Sequence, residues 1–123
     1  MIYIFLPAYN EEVALNNLVR KFELELKKIK EPYRLVVLDD GSQDRTAAVA
    51  EGLSKDYPLT LLRHPLNQGL GRTIVDGFEY VAHNASAGDF LITMDCDDTH
   101  DPMYIHPAIA KIKEGFDLVI LSR

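Results

Sequence analysis

At 123 residues and 47% hydrophobic content, the chain has the size and apolar share of one domain with a buried core. A formal net charge of −6 without a Lys/Arg cluster argues against nucleic acid as the main partner, and a lone cysteine excludes an internal disulfide. The opening Met1–Leu6 lacks a basic leader and reads as a strand rather than a signal peptide; no apolar run approaches the ~20 residues of a membrane span, so the sequence reads as soluble.

In chain order, β and α patterns alternate. Ile2–Leu6 is the first predicted strand, stopped by Pro7. Asn10 is expected to cap a helix whose Leu15, Leu18, Val19, Phe22, Leu26 and Ile29 keep helical spacing until Pro32 ends it. Arg34–Leu38 is the second strand, closed by Asp39-Asp40-Gly41-Ser42, after which Ser42 or Asp44 caps a short Ala-rich helix running to about Leu53. Leu59–Leu62 is a third, less regular strand expected near a sheet edge. Asn67-Gln68-Gly69-Leu70-Gly71-Arg72 makes a flexible loop into a helix turning Ile74, Phe78, Val81 and Ala82 inward. Phe90–Met94 reads as a buried fourth strand, Tyr104–Glu114 as a helix opened by Pro102 with Ile105, Ile109 and Ile112 on one face, and Leu118–Leu121 as a fifth strand. Strands separated by such helices imply right-handed crossovers and an α/β fold: a doubly wound, mostly parallel sheet with helices on both faces, one domain over residues 1–123.

In such sheets ligands bind outside the carboxyl ends of the strands, near the topological switch point. The unusual polar residues cluster at those ends: Pro7-Ala8-Tyr9-Asn10-Glu11, Asp39-Asp40-Gly41-Ser42, Asp95-Cys96-Asp97 and Ser122-Arg123. Along an extended chain Asp95 and Asp97 point to one side while Cys96 points away. Converging carboxylates repel unless a cation lies between them, and hard oxygen ligands suit Mg2+ or Mn2+. The competing reading makes Asp97, Asp98 and Asp101 turn and cap residues of the following helix. His64, His83 and His106 lack metal-site spacing and read as surface or satisfied histidines, and Cys96 as a small core residue.

Taken together, PAYNEE (Pro7–Glu12), VVLDDGSQDRT (Val36–Thr46), NQGLGR (Asn67–Arg72), MDCDDTHDP (Met94–Pro102) and the closing Ser122-Arg123 resemble the family 2 glycosyltransferases of the GT-A fold, most of all the dolichol- or polyprenol-phosphate mannosyltransferase type. The resemblance implies an inverting transfer of a sugar from a GDP- or UDP-linked donor to an acceptor, a polyprenyl or dolichyl phosphate or a glycan. It places Pro7, Ala8, Tyr9 and Glu11 around the nucleoside and Asp39 and Asp40 on base and ribose, with Asp40 slightly favoured. It assigns Asp95 and Asp97 to the metal and diphosphate, with Cys96 between them in the donor site, and Arg123 to the diphosphate. Thr99 stands where the lipid-phosphate branch implies a metal-coordinating glutamine; its shorter hydroxyl leaves room for a water.

The resemblance also implies a general base beyond residue 123, so the chain is expected to be the donor-binding part of a longer enzyme acting in the cytoplasm, at the cytoplasmic face of a membrane. A later antiparallel strand is then expected between the fourth and fifth strands. Without it the fourth strand keeps an open edge that invites a homodimer. Two other classes compete. A receiver domain wants an acidic pair after strand one and a lysine after strand five, neither of which stands there. A non-catalytic nucleotide-binding module would keep the donor pocket without turnover.

Overall fold

The computed structural model describes residues 1–96 and 101–120. Four strands, β1 (Ile2–Ala8), β2 (Tyr33–Asp40), β3 (Leu59–His64) and β4 (Phe90–Thr93), form one parallel sheet in the order β3-β2-β1-β4. Between them run α1 (Glu12–Leu26), α2 (Thr46–Ser54) and α3 (Leu70–Asn84); a 3-10 turn at Pro102–Tyr104 leads into α4 (Ile105–Lys113). The chain steps outward from β1 through β2 to β3, then crosses back to put β4 on the other side of β1. The switch point therefore lies between the carboxyl ends of β1 and β4.

Alternation along the strands splits the core in two. Ile2, Ile4, Leu6 and Ala8 of β1, with Leu35 and Val37 of β2, meet Leu15, Leu18, Val19, Phe22 and Leu26 of α1, Ala50 and Leu53 of α2, and Ile105 and Ile109 of α4. Tyr3, Phe5, Val36 and Leu38 face the other way, onto α3. That second layer is thin. A Cβ built on Gly77 would lie 2.2 Å from Cζ of the fully buried Phe5, so α3 rides directly over that ring, while Phe78 meets Phe5 edge-on at 6.1 Å. Of the expected inward positions of α3, Val81 is buried and Ile74 packs half-buried against this layer, while Thr73 and Gly77 take the other buried places and Phe78 and Ala82 are exposed.

The elements differ from expectation in ways the packing explains. β1 runs on through Pro7 to Ala8, paired with Leu38 and Asp39. Met94 donates to the Phe5 carbonyl, so Phe5, and Pro7 two residues on, turn their peptide groups toward β4, whose ladder has ended. Proline's missing N–H thus removes no bond there. β2 likewise includes Asp39 and Asp40 instead of stopping before them. α1 ends at Leu26, and Ile29 packs from the following turn. β3 is an edge strand, as its irregular pattern predicts. β4 is an edge strand too, alternating half-buried and exposed, rather than the buried strand expected. Residues 118–120 form no strand: Leu118 and Ile120 are 75% and 80% exposed, and a lone extended segment without a ladder partner gains nothing from β geometry. Leu121 lies outside the described residues. Among the described residues no helix is long and apolar enough to cross a membrane.

Candidate functional site

The loop after β1 is fastened to the loop after β2. Asn10 N–H donates to Ser42 Oγ at 2.9 Å, Glu11 N–H to Thr46 Oγ1 at 2.8 Å, and Glu12 N–H to Asp44 Oδ2 at 3.3 Å, while Gln43 N–H returns a bond to Asn10 Oδ1 at 2.9 Å. Asn10 adopts φ 52°, a left-handed conformation asparagine tolerates, and its side chain serves the neighbouring loop instead of capping α1. The amides opening α1 find their acceptors on Ser42, Asp44 and Thr46. Asp44 also takes the Thr46 N–H at 2.8 Å at the start of α2, so of the two expected caps Asp44 serves that helix while Ser42 serves Asn10. Burial opposes ionisation of Asp44, but the Thr46 hydroxyl and N–H and the Glu12 N–H outweigh it and hold its carboxyl below the usual range.

Asp39 and Asp40 end β2 fully or almost fully buried and, as neighbours in a strand, on opposite faces. Asp40 is consumed by the protein. Its Oδ1 accepts from the Gln68 N–H at 2.8 Å and lies 2.8 Å from His64 Nδ1; its Oδ2 accepts from the Gly69 N–H at 3.0 Å; its carbonyl accepts from Asn67 Nδ2 at 3.2 Å. A carboxylate at the start of α3 also suits the helix dipole. Burial raises the Asp40 pKa, but the amides of Gln68 and Gly69 and the His64 ring overcome that and keep it lowered. Gly41 completes the junction: at φ 70°, a Cβ there would lie 2.4 Å from Asn67 N and 2.5 Å from the Leu66 carbonyl carbon.

Asp39 is the opposite case. Its Oδ1 accepts from the Ser42 N–H at 3.1 Å, but Oδ2 is buried with no hydrogen-bond partner among the described residues, and Arg63 Nε stands 3.8 Å off on a side chain 58% exposed. A buried carboxylate oxygen without a donor is costly. It is a hydrogen-bond acceptor at the carboxyl end of β2.

Of the remaining expected residues, Pro7, Ala8, Tyr9, Glu11 and Asp95 fall around the same edge. Ala8 is buried at the end of β1, Pro7 and Glu11 are half-buried, and Tyr9 is 42% exposed beside them. Asp95 follows β4 at the switch point, exposed and without a hydrogen bond or ion pair among the described residues. Cys96 is buried in the core among the α1 and α4 side chains, so its side chain lines no surface cleft. Asp97, Thr99 and Arg123 lie outside the described residues, as does Asp98; Asp101 caps the 3-10 turn, accepting from Met103 N–H at 2.9 Å. Among the described residues no three His, Cys, Asp or Glu side chains gather to hold a metal. Asp95 supplies the hard, uncommitted oxygens that Mg2+ or Mn2+ prefers, and so fits one ligand of such a site.

A model of glycosyl transferase family 2 matches residues 3–123. The chain belongs to that family. The dolichol-phosphate mannosyltransferase of Pyrococcus furiosus is 34% identical over 122 residues, 99% of this chain and 33% of that protein. TarS residues 1–349 of S. aureus, solved with UDP-GlcNAc, superposes with a TM-score of 0.69 at 25% identity, over 92% of this chain and 31% of that one. The mannosyltransferase PcManGT of Pyrobaculum calidifontis, solved with GDP-Man and Mn2+, shares the fold at a TM-score of 0.57 and 18% identity, over 78% of this chain and 27% of its own. The family 2 chain thus spans about a third of the length of the curated relative it matches.

Two participants in this edge are not visible as site residues in the sequence. His64 and Asp76 meet at 2.7 Å behind Asp40, and nothing in their spacing relates them, since they belong to different elements.

Proposed function

We propose that this chain is the donor-binding part of an inverting family 2 glycosyltransferase, which transfers a sugar from a nucleoside diphosphate to an acceptor, a polyprenyl phosphate being the class favoured by the relative from Pyrococcus furiosus. The observation that carries this reading is the buried Oδ2 of Asp39 at the carboxyl edge of the sheet, which has no hydrogen-bond donor among the described residues. A carboxylate only accepts, whereas base N–H and ribose hydroxyl groups donate, so a nucleoside supplies what Asp39 lacks. Asp40, already accepting from two amides and facing His64, shapes the pocket rather than touching the ligand. Pro7, Ala8, Tyr9 and Glu11 then form the opposite wall, held to the Asp39 loop through Ser42, Asp44 and Thr46.

Asp95 and Asp97 would hold the cation, Mn2+ or Mg2+, beside the diphosphate, with Thr99 nearby and Arg123 on a phosphate oxygen. The chemistry such a cation supplies is charge neutralisation of the departing nucleoside diphosphate. Arg123 would add a charge-assisted hydrogen bond to the same group. The acceptor oxygen would attack the anomeric carbon from the face opposite the diphosphate as the bond to the diphosphate breaks; a phosphate oxygen attacks as the anion, while a hydroxyl acceptor would give its proton to a base supplied by another part of the enzyme. The place of work is the cytoplasmic face of a membrane, where a lipid phosphate is presented.

Isothermal titration tests the reading directly. UDP or GDP should bind in the presence of Mn2+ and lose affinity in EDTA, one base being preferred. Absence of binding by either nucleotide, or equal affinity with and without metal, refutes it.

A further inference from the structure

His64 is buried at the end of β3 with both ring nitrogens against carboxylates: Nδ1 lies 2.8 Å from Asp40 Oδ1, and Nε2 lies 2.7 Å from Asp76 Oδ2. Carboxylates only accept, and a neutral imidazole has one N–H, so both contacts are hydrogen bonds only when both nitrogens carry protons. Moving the extra proton to a carboxyl does not help. Both oxygens of Asp40 already accept from an amide, Gln68 or Gly69, so a proton there would oppose a donor, and a proton on Asp76 would give up the negative charge it offers Arg72 Nη2, 2.8 Å from its Oδ1.

The surrounding charges agree. β2 contributes Asp40, α3 contributes Asp76 and Arg72, and β3 itself contributes Arg63, turned to the opposite face beside Asp39. α2 packs on that opposite face, its Glu51 exposed, and does not face the ring. With His64 charged, the two carboxylates are balanced by two cations; with it neutral, negative charge is left in excess.

We infer that His64 is a positioning residue: a doubly protonated imidazolium, clamped between Asp40 and Asp76, that holds the segment 66–69 against Gly41 at the rim of the nucleoside pocket. The link is short. His64 fixes the Asp40 carboxylate, Asp40 fixes the amides of Gln68 and Gly69, and the backbone at Leu66 and Asn67 is pressed onto Gly41, two residues from Asp39. The hydrogen bond to Asp40 foremost, with Asp76 adding and burial opposing, raises the His64 pKa above 6.5. The two carboxylate contacts hold the clamp closed, and it opens as pH rises through this raised pKa, when a ring lone pair turns toward a carboxylate.

The consequence for ligand rests on the nucleoside reading above: affinity for UDP or GDP falls as pH rises through the His64 titration. The test follows the His64 ring nitrogens and the Gln68 and Gly69 amides by NMR from about pH 5 to about pH 10, beside titrations of UDP and GDP with Mg2+ over the same range. The expected result is two protonated nitrogens at neutral pH and one shared midpoint above 6.5 for ring, amides and affinity. Asp76→Asn, whose amide can donate to a neutral ring, should move every midpoint down by about one to three pH units. His64→Gln should remove the step. A singly protonated ring at neutral pH, amides that ignore the ring, or an affinity step that survives His64→Gln would overturn the inference. If neither nucleotide binds at any pH, the nucleoside reading falls, and the shared midpoint of ring and amides still decides the clamp.

Discussion

Asp39→Asn separates a ligand-binding carboxylate from a structural one. Asp39 Oδ1 takes the Ser42 N–H while Oδ2 has no hydrogen-bond donor among the described residues. Asparagine keeps the first bond by presenting its carbonyl to Ser42, which places the amide nitrogen where Oδ2 stood. A ligand donor then meets a donor. The loss is that of a charge-assisted hydrogen bond, about 1.5–3 kcal/mol, or roughly ten- to a hundredfold in nucleotide affinity. Folding should change far less, within about 1 kcal/mol, because removing a buried charge offsets the weakened bond to Ser42 and the loss of the long, largely exposed ion pair with Arg63. Isothermal titration with Mn2+ and urea denaturation on the same protein read the two effects apart. Unchanged affinity would refute the argument, and so would a loss of stability as large as the loss of binding.

Other perturbations should read out different parts of the same construction. Thr46→Val keeps the shape of a fully buried residue but strips the acceptor from the Glu11 N–H, and should cost about 1–3 kcal/mol in urea melts with an unchanged denaturant slope. Gly77→Ala drives a methyl into the Phe5 ring and should destabilise by about 1–3 kcal/mol, again measured by denaturation. Asp95→Asn should weaken nucleotide binding in Mn2+ by about 1–3 kcal/mol and leave any binding in EDTA unchanged. Asp40 and Asp44 are held below their ordinary value of 3.8, so their contribution to stability is full above that value and is lost as pH falls below it. His64 behaves oppositely, its contribution being lost as pH rises through its raised pKa, so melting temperature against pH should fall on both flanks.

Most of the architecture was legible because the period of the apolar residues changes cleanly between strand and helix. Leu15, Leu18, Val19, Phe22 and Leu26 are all buried, as their spacing predicts. The parallel crossovers followed from the alternation of strands and helices, and the acidic carboxyl edge from the polar residues after each strand, whereas the order β3-β2-β1-β4 came from the structure. The division of labour within Asp39-Asp40 was not legible. Two adjacent aspartates look alike in one dimension, and only the return of the chain at Gln68 and Gly69 shows that one of them is occupied. Asn10 misled for a similar reason: a residue suited to capping its own helix was recruited by a loop 33 residues away. The segment at Leu118 has a strand's composition, but strand formation depends on a neighbour, which composition does not report.

The stitching of the first helix onto the second loop has a kinetic corollary. The amides of Glu11 and Glu12 are satisfied by Thr46 and Asp44, which also organise the start of α2. Neither helix can fray at its beginning without stripping the other. Hydrogen exchange should therefore find Glu11 and Glu12 opening together with the amide of Thr46, as one cooperative unit, although they stand at the starts of two separate helices, where independent fraying is usual. By the same reasoning, lengthening the turn from Ser42 to Thr46 by even one residue should be resisted, because the acceptors would no longer stand opposite the amides they serve.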